Sequence, residues 1–510
     1  MNTRMTQRFA THLAALITVL AIGVTSARTE QAPGSARPPA DADVSSRVAR
    51  VVNGLRPRIE VTGAPVRWSL AARMAEYRAP AVSIAIVDDG RIVWAQGFGV
   101  QKVGGPSAVT ASTLFQAGSN SKAVTASAML RLVQAGTLSL DANVNQYLTS
   151  WKLPENEFTA QAPVTLRRLA THTAGTTVSG FPGYAVGAPR PTVPELLDGK
   201  APANTAAVRV DTVPGTAFRY SGGGATIIQQ LLADATRLSF ASVVKAQVFD
   251  PLGMTHSTFE QPLSTVRAAD AARAHLNAEK SVVVPGGWHV YPELAAAGLW
   301  TTPTDLATWM IAMGDAIAGR STSFLGQATA SQVIGSAVPG RTPAERVGLG
   351  LFLTGSGDSF NITHGGQTEG FVSQFKLFPN IGKGAVIMVN IGESGVRLMR
   401  EIELAIAEEF AWPEGGTVKI TTVPVDPDAL ARLAGTYVLY NLAGRHFPKV
   451  VAEGSRLFYE FGAGRNELYA QSPTTFIGAD GTRFSFARDA NGRDILIIGT
   501  GAGAIAALKQ

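Results

Sequence analysis

The spacing of apolar and polar residues changes period several times along the chain, and each change marks an element. A helical spacing covers Leu70 to Tyr77. Two strand-like runs follow, Ala81 to Val87 and Arg91 to Gly97, and Asp88-Asp89-Gly90 between them reads as a hairpin turn. From Ser119 to Gln134 the period is helical again, with Gly136 as its stop. A long middle section to about residue 345 mixes helices with Gly/Pro loops. Strand patterns return at Gly348 to Leu353, Gly370 to Phe378 and Ala385 to Asn390, and a helix runs from Gly395 to Phe410. Strands at both ends with helices between them predict one sheet assembled from distant stretches and enclosing a helical insertion.

Beyond this segment the texture changes. Trp412-Pro413-Glu414-Gly415-Gly416, with Pro424 and Pro427, reads as a linker. After it come short strands at Thr436–Tyr440, Lys449–Ala452, Arg456–Phe461, Glu467–Ala470, Phe484–Ala487 and Asp494–Ile498, with a hairpin signal at Asn491-Gly492. This tail predicts a separate small β-barrel or sandwich. The divisions expected are 1–27 as an export signal, 28–64 as a flexible lead-in, 65–412 as the main domain, 413–428 as the linker and 429–510 as the barrel.

Composition narrows the classes. The 510 residues are 45% hydrophobic and 16% charged, enough apolar content for a full core and fewer charges than the roughly 25% of an average soluble chain. Disorder is excluded. With no cysteine, disulfides, thiolate metal sites and cysteine nucleophiles are excluded as well. The net charge of +6 is spread out: even Arg47, Arg50, Arg56 and Arg58 are separated by apolar residues, so they form no phosphate track and nucleic acid is set aside as a partner. In 1–27, Arg4 and Arg8 precede an apolar run from Leu13 to Val24 and a small-residue site at Thr25-Ser26-Ala27, the three parts of a secretory signal. The run is too short to cross roughly 30 Å of hydrocarbon. Cleavage after Ala27 removes two positive charges and no negative ones, leaving +4. The expected location is periplasmic or secreted, with no lipidation cysteine and no stable membrane anchor.

Chemistry enters with Ser-x-x-Lys. No serine has glycine two residues before and two after, and the histidines at 12, 172, 256, 275, 289, 364 and 446 show no H-x-H or H-E-x-x-H spacing, so neither a nucleophile elbow nor a metal site is indicated. Ser-x-x-Lys occurs at Ser119–Lys122 and Ser242–Lys245 in helical stretches, and at Ser373–Lys376 inside the strand pattern Gly370 to Phe378. Three residues along a helix bring both side chains to one face, where a poorly solvated lysine can take the serine proton. Only Ser119 stands at a predicted helix start, where backbone N–H groups favour developing negative charge. Ser242 lies mid-helix, where its hydroxyl is expected to bond its own backbone. Further on, Phe218-Arg219-Tyr220-Ser221-Gly222-Gly223-Gly224 sets a tyrosine on a glycine-rich loop, and His364-Gly365-Gly366 leaves room beside a strand.

With these three motifs in this order, the chain resembles the serine β-lactamase and penicillin-binding-protein superfamily, and within it the class C branch with its D-peptidases, D-aminopeptidases and esterases. The resemblance covers about 65–412. It includes Leu169-Ala170-Thr171-His172-Thr173-Ala174-Gly175, Pro251-Leu252-Gly253-Met254 and Gly298-Leu299-Trp300-Thr301-Thr302-Pro303-Thr304-Asp305-Leu306. The tail is similar to the lipocalin-like domain of some members. The resemblance implies an α+β fold, an antiparallel sheet flanked by helices with a helical lobe over Ser119, and no metal or cofactor. It implies Ser119 as nucleophile, Lys122 and Tyr220 sharing the proton work with either as base, and the backbone N–H groups of Ser119 and Gln367 as the oxyanion hole. It places His364 where many relatives have lysine, to orient Tyr220 or bind a substrate carboxylate, and Gly222, Gly365, Gly366 and Glu369 at the substrate. Gly222 stands where β-lactamases and D,D-peptidases carry asparagine, removing an amide partner. Glu369, facing the pocket, would repel carboxylated substrates. Small esters or D-amino-acid-containing amides and peptides are therefore the expected substrates, cell-wall peptides among those open. The alternatives are a true β-lactamase or D,D-carboxypeptidase, and a binding protein that acylates slowly without turnover.

Overall fold

Ala81–Asp88 (β1) is buried along its whole length, which fits a strand covered on both faces. It turns through Asp89 and Gly90, both at positive φ (50° and 69°), into Arg91–Gly99 (β2). The other strands of this sheet come from the far side of the helical insertion: Val338–Pro339 (β3), Arg346–Val347 (β4), Phe352–Thr354 (β5), Asn361–Thr368 (β6), Phe371–Phe378 (β7) and Lys383–Val389 (β8). All pair antiparallel in the order β3-β4-β5-β6-β7-β8-β1-β2, so the last strand of the segment lies against the first. The computed structural model of the protein describes residues 40–276, 281–441, 444–461, 464–500 and 504–510. Residues 1–27, expected to be an export signal, lie outside the described residues.

Alternation along the central strands loads two cores. Ala85, Val87, Val386, Met388 and Phe375 face the helical lobe with Trp309 and Met310 of Pro303–Ile317 (α4). Ile84, Ile86, Ile387 and Val389 face Leu398, Ile402 and Ile406 of Glu393–Glu409 (α5). Deep in the lobe lies Asn120–Gln134 (α1), nearly all of whose residues from Asn120 to Leu132 are buried. It packs near Gly222–Thr236 (α2) and the short Leu294–Ala297 (α3).

Three sequence expectations need correction. The strand expected over Gly348–Leu353 is confined to Phe352–Thr354. The preceding residues form a buried turn, with Gly348 N bonded to Leu351 O and Gly350, at φ 76°, bonded to Ala170 O, so their backbone partners lie outside the ladder. The lead-in expected over 28–64 is structured within its described part. The helix Ala40–Val52 buries Val48 and Val51, and Ile59–Val61 forms a strand. That strand pairs in parallel with Val418–Ile420, inside the stretch expected to be a linker, so the two stretches clasp each other.

The tail forms a closed barrel of eight strands: Gly435–Asn441 (β9), Lys449–Glu453 (β10), Arg456–Phe461 (β11), Gly464–Ala470 (β12), Thr475–Gly478 (β13), Arg483–Arg488 (β14), Asp494–Ile498 (β15) and Ile505–Lys509 (β16). Pairing of β9 with β16 closes it, and Gly444–His446 adds a short side strand on β9. Its core holds Tyr437, Leu457, Phe476, Phe484 and Leu496. Closure removes the sheet edges that an open eight-stranded meander would expose.

Candidate active site

Ser119 precedes α1, and hydrogen bonds hold its turn from three sides. Ser121 Oγ donates to Gly118 O (2.6 Å) and accepts from Leu299 N (3.0 Å). Ala117 N donates to Leu299 O (2.9 Å). Asn120 Nδ2 donates to Ser373 Oγ (2.8 Å), which donates to Ala117 O (2.8 Å) and ties the turn to β7. Glycines make room for β6 beside it. A Cβ at Gly366 would lie 1.9 Å from Ala117 O, and one at Gly118, which has φ 51°, would lie 2.6 Å from Gln367 N.

Lys122, one helical turn on, is 6% exposed. Its Nζ donates to Ser119 Oγ (3.0 Å) and to Ala296 O of α3 (2.8 Å). An ammonium so deeply placed needs such partners, because its lost hydration costs several kcal/mol. Among the described residues, Lys122 carries the only side-chain group hydrogen-bonded to Ser119 Oγ. The ring of Tyr220 lies 5.0 Å from Nζ, with His172 packed 4.4 Å away on it and His364 at 6.2 Å.

The free edge of β6 completes the arrangement. β5 pairs only with Asn361, Ile362 and Thr363, so His364 to Thr368 have no strand on that side. Ser119, Tyr220, His364, Gly365, Gly366 and Gln367 line a cleft of about 450 Å³. A carbonyl entering it meets the serine hydroxyl and the backbone at residues 119 and 367 together. That is the layout acyl transfer requires: a nucleophile, a base in reach and backbone donors near the developing oxyanion.

The histidines beside Tyr220 are kept neutral. Burial, and then the Lys122 ammonium, lower the His364 imidazole to about 3, and its Nδ1 lies 2.6 Å from Gly365 O. The same two causes hold His172 well below the usual range. Glu293, just before α3, is fully buried with both carboxylate oxygens unpartnered; burial raises it to about 8, so it is mainly protonated at neutral pH.

Two residues expected at the substrate stand elsewhere. Gly222 opens α2, where its N–H donates to Ser179 O (3.1 Å) and a Cβ would press within 3.0 Å of the Phe181 ring; it faces this packing and does not line the cleft. Glu369 does not line the cleft either, because the chain reverses there through Gly370 (φ 78°), and its N–H donates to Tyr291 Oη (3.0 Å). The cleft's charges are Arg341 and Glu345, paired at 2.7 Å, with the Arg341 guanidinium 4.4 Å over Phe352. Sequence reasoning missed this pair, which sits on a polar loop with no motif of its own. It also gave no role to His172, although the residue stood inside a quoted signature. The signal there was backbone: His172 has φ 58°, and its Nδ1 accepts from Ser221 N (3.3 Å), which fixes the residue after Tyr220.

A model of the β-lactamase family matches residues 68–408, and the chain belongs to that family. It is 28% identical over 378 residues to penicillin-binding protein 4 of Amycolatopsis lactamdurans, covering 71% of this chain and 94% of that protein. It is 24% identical over 321 residues to protein flp of Staphylococcus aureus strain N315, 62% of this chain, and spans 61% of that relative's length. Among solved structures, the octameric penicillin-binding protein homologue from Pyrococcus abyssi shares the fold over 86% of this chain and 98% of its own (TM-score 0.56, 20% identity). So do EstCE1, described as a hydrolase with promiscuous acyltransferase activity (0.56, 19%, 72% and 99%), and a D-amino acid amidase from Ochrobactrum anthropi SV3 (0.52, 21%, 67% and 98%).

Proposed function

We propose that the protein is a serine hydrolase that cleaves small esters and D-amino-acid-containing amides through an acyl-enzyme at Ser119. The observation that carries this reading is the 3.0 Å contact of Ser119 Oγ with a buried Lys122 Nζ at the floor of an open cleft. For attack, Lys122 must be unprotonated. Ser119 Oγ adds to the substrate carbonyl carbon and its proton passes to Nζ. The oxyanion is held by the N–H groups of Ser119 and Gln367. As the carbon–heteroatom bond breaks, the leaving group takes a proton delivered through Lys122 or the Tyr220 hydroxyl. Water then adds to the acyl carbon and gives up its proton along the same route, restoring Ser119.

Two features support esters and D-amino-acid amides over β-lactams. Gly222 carries no side-chain amide where β-lactamases carry asparagine, and His364 is neutral, so it offers no fixed charge to a β-lactam carboxylate. We also propose export through residues 1–27, which the mass of the mature chain, starting at Arg28, would check. For the function, hydrolysis of a short-chain nitrophenyl ester and of a chromogenic cephalosporin is compared in wild type and Ser119→Ala, with mass spectrometry for an acyl adduct. Ester turnover and adduct are both expected to vanish in the variant. Cephalosporin turnover exceeding ester turnover would overturn the substrate reading, and ester turnover surviving in Ser119→Ala would overturn the nucleophile.

A further inference from the structure

A second, larger groove of about 1010 Å³ lies between α5 and the barrel, lined among others by Arg397, Arg400, Glu414, Tyr469 and Asp480. Most of its charges are already satisfied: Arg73 pairs with Glu401 (2.6 Å), Lys376 with Glu403, and Glu467 with Arg456 (2.7 Å). Arg397 and Arg400 differ. They stand three apart on one face of α5, both exposed, and among the described residues neither has an ion pair or side-chain hydrogen bond. Glu414 and Asp480, also in the groove, have no ion pair among the described residues either. Two guanidiniums without partners, beside two carboxylates held only by neutral donors (Asn361 on Glu414, Asn466 and Thr482 N on Asp480), complement a ligand that carries both signs; a polyanion would meet the carboxylates as repulsion.

This groove continues the catalytic cleft. On α5, Val396 and Met399 line the cleft while their chain neighbours Arg397 and Arg400 line the groove. On β7, Gln374 lines the cleft and Lys376 the groove, and the two side chains share one partner, Glu403. The two hollows therefore meet along a single helix–strand seam. Gly365, opposite Gln374 in the ladder, leaves the crossing between them free of side chain.

We infer that the groove is a second binding site, for a peptide segment carrying carboxylates and an ammonium, which seats its carboxylates on Arg397 and Arg400 while its scissile end lies at Ser119. The acylation half of this statement rests on the function proposed above; the binding half does not. A substrate that fills both hollows is a chain of several residues, so short esters use only part of the available binding energy.

The test uses two dansylated peptides, Glu-Glu-Gly-Lys and Gln-Gln-Gly-Lys, which lacks the two side-chain carboxylates, titrated by fluorescence at low ionic strength into full-length Ser119→Ala protein. The glutamate peptide is expected to bind at least about tenfold tighter than the glutamine peptide, and the Arg397→Ala/Arg400→Ala double variant is expected to remove that preference while Arg397→Lys/Arg400→Lys keeps part of it. Equal binding of the two peptides overturns the proposal without any variant having to fold, and so does an unchanged preference in the double variant with a native circular dichroism spectrum. Failure of the groove and failure of the hydrolase separate cleanly. Wild type that cleaves the nitrophenyl ester but shows no glutamate preference loses the groove alone. Preference for the glutamate peptide without esterase activity leaves the groove standing as a peptide site.

Discussion

The chain carries Ser-x-x-Lys on two helical stretches and builds opposite environments around them. At Ser119–Lys122 the lysine is buried, bonded to the serine and to Ala296 O, and set at the start of an enclosed helix beside a cleft. At Ser242–Lys245 both residues are exposed on the short helix Phe240–Val244 and the turn that continues it. Lys245 pairs outward with Asp250 (2.5 Å), and the Ser242 hydroxyl meets the Ser239 hydroxyl (2.8 Å), not its own backbone as the sequence suggested. Spacing brings a serine and a lysine to one face. Burial, the choice of partners and an open strand edge are what set the first pair apart.

Substitutions at the two sites break or confirm this contrast most directly. Ser119→Ala and Lys122→Ala are each expected to lower ester kcat/KM by about a thousandfold or more, as removal of a nucleophile or its base does elsewhere. Ser242→Ala and Lys245→Ala are expected to leave it unchanged and to shift stability by less than about 0.5 kcal/mol, as exposed substitutions do. Loss of turnover in Ser242→Ala would erase the distinction. Next in size is Gly366→Ala, whose methyl group would collide with Ala117 O. Turnover is expected to fall by about a hundredfold, because the strand edge must retreat from Ser119. A fully active Gly366→Ala protein would show that this close approach is not needed.

His172→Ala sharpens the account of Tyr220. Without the packed ring and the acceptor for Ser221 N, kcat is expected to fall about tenfold or more with KM nearly constant, since His172 does not line the cleft. A change in KM alone would make His172 a substrate contact. The smallest effects are in pH. A histidine lowered in the fold contributes stability above its unfolded pKa of 6.5 and loses it as pH falls toward the folded value, about 3 for His364. Thermal melts of His364→Gln are therefore expected to lose less stability than wild type between pH 6.5 and 4. Glu293 works in the other direction. Raised to about 8, it contributes below its unfolded value of 4.5 and loses that contribution as pH rises through 8, so Glu293→Gln is expected to gain relative to wild type at pH 8 compared with pH 5. A wild-type-like melting profile in either variant would show that the corresponding group titrates normally.

Much of the site could be read in the residues because its pieces are local. A helix start at Ser119, the Asp88-Asp89-Gly90 turn and the ordered three motifs each depend on a few neighbouring positions. What the sequence hid depends on distant parts meeting. The strands Thr475–Gly478 and Ile505–Lys509 are brief, and the second acquires its meaning only by closing on Gly435–Asn441. Arg341 and Glu345 become cleft residues only because Val338–Pro339 and Arg346–Val347 fold onto the sheet edge next to Phe352. The place of Gly222 as third residue of the Tyr220-Ser221-Gly222 motif was legible from the resemblance, but the side that it presents is decided by Phe181, forty-one residues earlier, which no local pattern encodes.

The parallel clasp between Ile59–Val61 and Val418–Ile420 bears on how the molecule can move. Two peptide stretches leading into and out of the hydrolase domain are stitched together, with Arg58 adding a bond to Gly416 O (2.7 Å) and Thr417 Oγ1 one to Pro57 O (3.1 Å). A barrel hung from a free tether would sample many orientations, and any crevice beneath it would open and vanish with each swing. Fastened at its neck by both ends of its neighbour, it is instead a fixed wall. Its loops then belong to the shape that a substrate meets on arrival, and the entropy of placing them is settled during folding, before any substrate binds.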